Sequence, residues 1–518
     1  MKRLPLLHPF LFTLTSVLFL YIRVSSTIAP PEILRPLLVL WILLALLIFP
    51  IQKITKNWQK TGIALSFLVF AFFYEKNIFL LVFMTVALIL LLWFFYTKTI
   101  KHKRMSLEET TFLLNILSLA LVLGGGLKLI LLLSHVPSSY YQKYVLTTPH
   151  SPITQLTPRE NSPDIYYIIL DGYARADVLD EFYDFDNTEF IRYLEEKGFI
   201  VPKNNHSNYP KTTFSVSSVL NMDYIQNLTP GLEKTYFWWL MSPLIDHSQV
   251  RIMLEDIGYK SISLGTDWTI TDNQTTDIYY SPSPIKVSEF ENYFLFNTAL
   301  VFVRPFLDKI AYIPSSYDAH RELLLYNFNT LGEIPALEGN KFTFVHFLSP
   351  HPPFVFDAEG NAIDPDVVFS LNDDNSSDSI EQNRENYRQG YRGQVAFINT
   401  KLEDLIDNIL ENSETPPIII LQADHGPGMY VDFSSAENTC LRERFSPFAA
   451  YYLPDTNPNI IPDDITPVNL FRIVLNEYFQ ADLPILENTY YFSKDPFYFY
   501  QMEEISPERI TADCDIQD

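Results

Sequence analysis

Five long apolar runs follow one another in the first 135 residues, near 7–25, 34–51, 62–74, 77–97 and 111–134, and they constrain the fold more than any other feature of the chain. Most approach the roughly 20 residues a helix needs to cross a bilayer. The run at 62–74 is the weakest, because it is short and ends at Glu75-Lys76; alone it would serve as a buried helix. One anchor plus water-soluble core helices would leave nearly continuous apolar sequence with no polar face for solvent. A cleaved signal peptide is not expected at the N-terminal run, since further apolar runs follow and no small-residue cleavage site stands after it.

Charge gives these helices a direction. Met1-Lys2-Arg3, the segment 53–60 (KITKNWQK) and the segment 98–104 (KTIKHKR) are basic, whereas 25–33 and Glu75-Lys76 are not. Positive loops stay cytoplasmic. Five spans then leave everything beyond about residue 150 on the outer face. Residues 1–150 carry 14 Lys/Arg against 4 Asp/Glu and the remainder 23 against 57, for a formal net charge of −24. The expectation is a multi-pass integral membrane protein with an acidic extracytoplasmic part and no nucleic-acid partner. Its only cysteines, Cys440 and Cys514, are too few for a disulfide-stapled scaffold, and whether they pair stays open.

The predicted organisation is a transmembrane domain of five helices over 1–135, a Pro/Ser/Thr-rich linker over 136–163, an α/β domain over 164–500 and a tail over 501–518. Within the α/β domain, strands are expected at 164–170, 260–264, 341–348, 416–422 and 447–453. Helices are expected near 183–198, from 212, and near 248–257, 318–332, 384–412 and 466–479. The alternation predicts a mostly parallel central sheet. Residues 357–383 read as a mobile acidic loop.

Chemistry collects at the ends of the apolar strands. The run 417–421 leads into Asp424-His425-Gly426, and the run 165–170 ends in Asp171-Gly172. Open α/β sheets place ligand sites at the C-terminal ends of their strands, so two carboxylates and an imidazole there predict a metal site. Thr212, after Pro210-Lys211 and ahead of a helix, has two readings. It is a helix N-cap, which the threonine alone favours, or a nucleophile activated by the metal. Thr213, Ser215, Ser217 and Ser218 stand close by. His346, inside a strand, reads as a hydrogen-bonded core histidine. His351, in a proline-rigid loop at the same sheet edge, could donate to a phosphate oxygen or a leaving group, or have no role. The aromatic group 236–239 and the apolar segment 295–308 would rest on the membrane interface, line an acyl groove or belong to the core.

Taken in order, Asp171 in LDGYARAD, Thr212 in YPKTTFSVSSVLNM, His351 in SPHPP and Asp424-His425 in QADHG resemble the alkaline phosphatase and sulfatase superfamily. Within it the likeness is to the membrane-anchored branch of lipoteichoic acid synthases and phosphoethanolamine transferases, and it covers roughly residues 160–500. The resemblance implies a sulfatase-like catalytic domain. One divalent metal, zinc or manganese rather than magnesium, would be bound by Asp171, Thr212, Asp424 and His425. Thr212 would be the nucleophile and His351 a contact to the substrate phosphate. Arg175 and Arg444 are weaker candidates for anion contacts, with solvated or salt-bridged surface arginines as the alternative. The implied reaction is phosphoryl-group transfer from a membrane lipid donor to a glycan or lipid hydroxyl, or to water. A phosphodiesterase-type hydrolase and a non-catalytic binding module are the other readings. The chain departs from true sulfatases in lacking the Cys/Ser-x-Pro-x-Arg nucleophile motif. It departs from two-metal members in having no histidine after His425. It also has fewer cysteines than most phosphoethanolamine transferases.

Overall fold

The computed structural model describes residues 5–73, 106–146, 152–159, 161–283, 287–302, 317–364 and 380–514, with the single positions 306 and 371. They form two units. The first comprises Met1–His135 and Ile285–Ile313, and the second Val136–Pro284 and Pro314–Asp518. The apolar run at 77–97, the basic segment 98–104 and much of the expected acidic loop lie outside the described residues.

The first unit holds helices α1 (His8–Val24), α2 (Leu34–Thr55), α3 (Trp58–Phe72) and α4 (Leu107–Leu133). Asn57 caps α3 by accepting from Lys60 N, and Ser106 with Glu109 forms a capping box on α4. The spans Pro30–Thr55, of 26 residues, and Leu107–Leu133, of 27, are long and apolar enough to cross a membrane, while α1 and α3 are shorter apolar helices. The count of five spans therefore stays an expectation. Where α1 meets α4, Gly125 allows a close approach: a Cβ there would lie 2.8 Å from the Leu18 side chain, which would have to shift.

The second unit is an α/β domain around a six-stranded sheet of order β3-β2-β4-β1-β5-β6. The strands are β1 (Ile165–Leu170), β2 (Lys260–Leu264), β3 (Ile278–Tyr280), β4 (Lys341–Phe347), β5 (Ile418–Gln422) and β6 (Ala449–Tyr452). All neighbours pair in parallel except β5 with β6. β1, β4 and β5 are buried along their whole length, which is why β1 and β5 read as near-continuous apolar runs, while β4 buries Lys341, Thr343 and His346 among its apolar residues. One face packs a core around Phe182, Leu194, Phe328, Tyr391 and Ile406. The other packs Val216, Val219, Met253, Phe471 and Val474. The sequence reading does not include the short edge strand β3, the helices Ala176–Tyr183, Glu289–Phe296 and Leu441–Phe445, or a separate antiparallel pair, β7 (Tyr490–Ser493) with β8 (Met502–Ile505). The expected linker is partly folded onto this unit. Tyr140 is buried and donates to Leu240 O at 2.7 Å, and Thr157 N donates to Phe479 O at 2.9 Å. Trp238 stacks on Phe499 with centroids 3.5 Å apart, and Phe237 and Trp239 are buried.

Candidate metal centre

The site stands at the C-terminal edge of the three central strands. Asp171 is the first residue after β1, and its backbone N–H donates to Phe347 O at the end of β4. Gly172 follows with φ +68, a left-handed conformation that glycine adopts without cost. The turn lets its N–H donate to Asp424 Oδ1 at 3.1 Å, so the end of β1 holds the ligand that follows β5. His351 N donates to Asp171 O at 3.0 Å, which fixes the loop after β4 to the same edge.

One ligand atom from each of Asp171, Asp424 and His425 can be chosen so that all lie within 4.8 Å of one another, and all three residues are buried. His425 Nδ1 pairs with Gly426 O at 2.9 Å. A carbonyl only accepts, so Nδ1 carries the proton and Nε2 presents its lone pair. That Nε2 lies 3.1 Å from Asp424 Oδ2 and 3.8 Å from Asp171 Oδ1. Neither Asp171 Oδ1 nor Asp424 Oδ2 accepts a hydrogen bond although both are buried. Two orphaned carboxylate oxygens facing an imidazole lone pair are what a divalent cation would satisfy, so the residues fit the metal that the sequence predicts. Burial pushes the Asp171 carboxyl up, but His351, the hydrogen bond and charge of His346, and His425 outweigh it and hold it at about 2.

Thr212 is brought to this cluster: its Oγ1 donates to His425 Nε2 at 3.0 Å. The N-cap of helix Thr212–Asn221 is Lys211, in extended conformation, and its carbonyl accepts from Phe214 N and Ser215 N. Thr212 is therefore the first helical residue and makes no capping bond, so the N-cap reading of this threonine does not hold. Ser215, one turn on, donates to Asp424 O at 2.7 Å and ties the helix to the β5 end.

The two arginines part ways. Arg175 donates to both Asp177 carboxylate oxygens, at 2.7 and 2.9 Å, and to Asn205 O at 2.7 Å, the salt-bridged alternative. Arg444 is neither solvated nor at the surface. Its Nε donates to Pro210 O at 2.8 Å, Nη1 to Gly426 O at 2.9 Å and Nη2 to His425 Nε2 at 3.1 Å. It thus joins the approach to Thr212 with the Asp-His-Gly turn. Gly426 is obligatory there, since a Cβ would lie 1.9 Å from Glu443 O.

Two neighbours of the cluster have a place there that the sequence does not announce. His346 is the hydrogen-bonded core histidine expected, with Nδ1 2.9 Å from Thr271 Oγ1, yet its Nε2 also lies 3.3 Å from Asp171 Oδ2. Only the register, which sets Ile169 of β1 against His346 of β4, reveals this. Lys211 lies over the Trp238 and Phe433 rings at 4.8 and 4.9 Å. Burial, and then the charge of Arg444, bring its ammonium down to about 8. Its place beside Thr212 was the available signal. Cys440 and Cys514 form a disulfide with Cα atoms 5.2 Å apart.

A parallel α/β sheet carrying a carboxylate–histidine cluster at its C-terminal edge defines the class. The sulfatase family profile matches residues 163–476. The chain belongs to the sulfatase family and is an enzyme of the sulfatase-like superfamily. No curated protein sequence matches it significantly. Among solved structures it is similar to the periplasmic domain of EcEptC from Escherichia coli in complex with Zn, at 12% identity over 69% of this chain and 96% of that one, with a TM-score of 0.43. It is similar to the periplasmic domain of phosphoethanolamine transferase EptC from Campylobacter jejuni, at 12% identity over 66% and 94%, with a TM-score of 0.38. A third is the integral membrane lipooligosaccharide phosphoethanolamine transferase A from Neisseria meningitidis, at 10% identity over 73% and 71%, with a TM-score of 0.40.

Proposed function

We propose that this enzyme is a metal-dependent phosphoryl-group transferase that takes its group from a phosphodiester lipid head group at the outer face of the membrane, with Thr212 as nucleophile. The observation that carries the reading is the approach of the Thr212 hydroxyl to His425 Nε2 at 3.0 Å, beside two orphaned buried carboxylate oxygens. A divalent ion held by Asp171, Asp424, His425 and Thr212, zinc or manganese, would lower the pKa of the hydroxyl and polarise the phosphate oxygens. Thr212 gives its hydroxyl proton to solvent and forms a bond from Oγ to phosphorus while the bond to the diacylglycerol-like alkoxide breaks. His351, on its loop at the sheet edge, donates a proton to a phosphate oxygen or to the departing oxygen. Arg444 holds the Asp-His-Gly turn through Gly426 O and the Thr212 approach through Pro210 O, and Lys211 adds positive charge beside the nucleophile. A glycan or lipid hydroxyl, or water, then takes the group from Thr212. The oxygen-rich ligand set with one imidazole suits borderline divalent ions. A membrane anchor favours this reaction, because it raises the effective concentration of the lipid donor.

The test is mass spectrometry of the protein after incubation with a phosphodiester lipid. An adduct is expected on the peptide containing Thr212, assigned to that residue by fragmentation, and absent from Thr212→Ala. An adduct on Thr213, or full turnover in Thr212→Ala, overturns the assignment.

A further inference from the structure

Residues 285–313 leave the α/β unit after β3 and belong to the first unit together with α1 to α4. Helix α5 of this excursion (Glu289–Phe296) opens with a Ser288/Glu291 capping box. Its Phe290 and Phe294, one turn apart, are buried. Phe290 meets Tyr21 at 6.0 Å between centroids, and Phe294 meets Phe72 and Phe73 at 6.0 and 5.9 Å. Phe290 N donates to Glu32 at 3.3 Å, and Arg35 donates to both carboxylate oxygens of Glu291. The polar contacts thus face the helical bundle. What faces away is apolar: Phe296 is 41% exposed, Val301 39% and Phe302 80%.

The bundle ends that this segment touches are the C-terminal end of α1, the N-terminal end of α2 and the C-terminal end of α3. All three lie opposite the basic loop at 53–60, and are therefore the ends that the positive-inside rule assigns to the outer face. At the same end, α2 leaves Leu34 and Leu38 more than half exposed, so the outward side chains of the excursion continue a lipid-facing apolar surface. In water, three large apolar groups presented beside inward-turned charges would be a poor arrangement. At a headgroup boundary it is what an interfacial element requires.

We propose that residues 289–302 form an interfacial strap whose Phe296, Val301 and Phe302 insert into the outer headgroup boundary of the bilayer, giving the chain of the catalytic unit a second membrane attachment far from its N-terminal one. The proposal rests on the membrane reading of the helices and is independent of the reaction assigned to Thr212.

The test is site-directed spin labelling of the full chain in phosphatidylethanolamine/phosphatidylglycerol vesicles. Both native cysteines are in the disulfide, so an introduced thiol is the one labelled. Nitroxides at Phe302→Cys and, separately, Val301→Cys are compared with Ile42→Cys on the lipid-facing side of α2 and Glu437→Cys on the exposed surface of the α/β unit. Phe302 and Val301 are expected to lie between the two controls, several-fold more accessible to oxygen relative to a nickel chelate than Glu437. Nickel accessibility equal to that at Glu437, with Ile42 still shielded, overturns the strap and leaves the membrane reading standing. Shielding from both reagents means that protein covers the segment, and this too overturns it. Nickel access at Ile42 as well removes the membrane reading, and the strap falls with it.

Discussion

The two units follow opposite rules of burial. In the α/β unit the apolar strands are sealed between two layers of helices, and the chemically loaded groups, Asp171, Asp424, His425 and Arg444, are buried among them. In the helical unit the large apolar side chains point outward: Ile42 is 60% exposed, Leu46 66% and Ile130 65%, while His8, Thr61 and Ser118 are buried. A single chain in a single solvent would not do both. The difference teaches that exposure has a different meaning in each unit, and substitutions can test it.

The largest effect is expected inside the α/β unit. Thr212→Ala should lower kcat by on the order of 10⁴-fold or more, the scale of removing a nucleophile, while the melting temperature stays near that of the parent. A chelator should abolish the same activity, with zinc or manganese restoring it. A metal-independent rate in the parent would break the reading of the buried cluster.

Next comes a single methyl group. Gly426→Ala places a Cβ 1.9 Å from Glu443 O, against backbone that cannot rotate away. A loss of about 3 kcal/mol is expected from chemical denaturation, at the upper end for overpacking. An unchanged midpoint would show that the turn after β5 is looser than described.

Ile42→Arg tests the helical unit. On a water-facing helix such a change is worth about 0.5 kcal/mol or less, whereas at the centre of a bilayer span it costs about 2.5–3.5 kcal/mol. Reduced membrane-inserted yield is expected. A soluble, fully folded and active Ile42→Arg protein would erase the contrast between the units.

The smallest effect is a pH dependence. Burial, partly offset by hydrogen bonds from Tyr183 and Tyr430 N, pushes the Glu443 carboxyl up to about 7. Its folded pKa exceeds the unfolded value, so its favourable contribution is complete below about pH 4.5 and is lost as pH rises to about 7. Glu443→Gln, which does not titrate, should therefore gain stability relative to the parent as pH rises from 5 to 8. Parallel stability curves from pH 5 to 8 would exclude Glu443 as the titrating group.

Much of this was legible because doubly buried strands cannot hide. The runs ending at Leu170, Phe347 and Gln422 lie within one or two residues of where they were read, and the motifs after them meet at one edge. What escaped depended on pairing. His346 stands against Ile169 only once β4 is set beside β1, and a buried histidine carries no mark of its neighbour across a strand. Arg444 was open to a surface reading because charged residues are seldom fully buried. It donates to Pro210 and to the His425-Gly426 turn, two segments far apart in sequence. The clustering of 285–313 with the helices has no compositional boundary to announce it.

The Cys440–Cys514 bridge gives the site a condition of assembly. Cys440 is the N-cap of the short helix Leu441–Phe445, which carries Arg444 and the Glu443 carbonyl against which Gly426 fits. Its partner is synthesised 74 residues later, and closing a loop of that size is worth roughly 4 kcal/mol. The helix that braces His425 is thus fastened only after the downstream chain has been made and the bridge has been oxidised. Completion of the centre is thereby tied to formation of the bridge, and a nascent or reduced chain would hold its ligands without the brace.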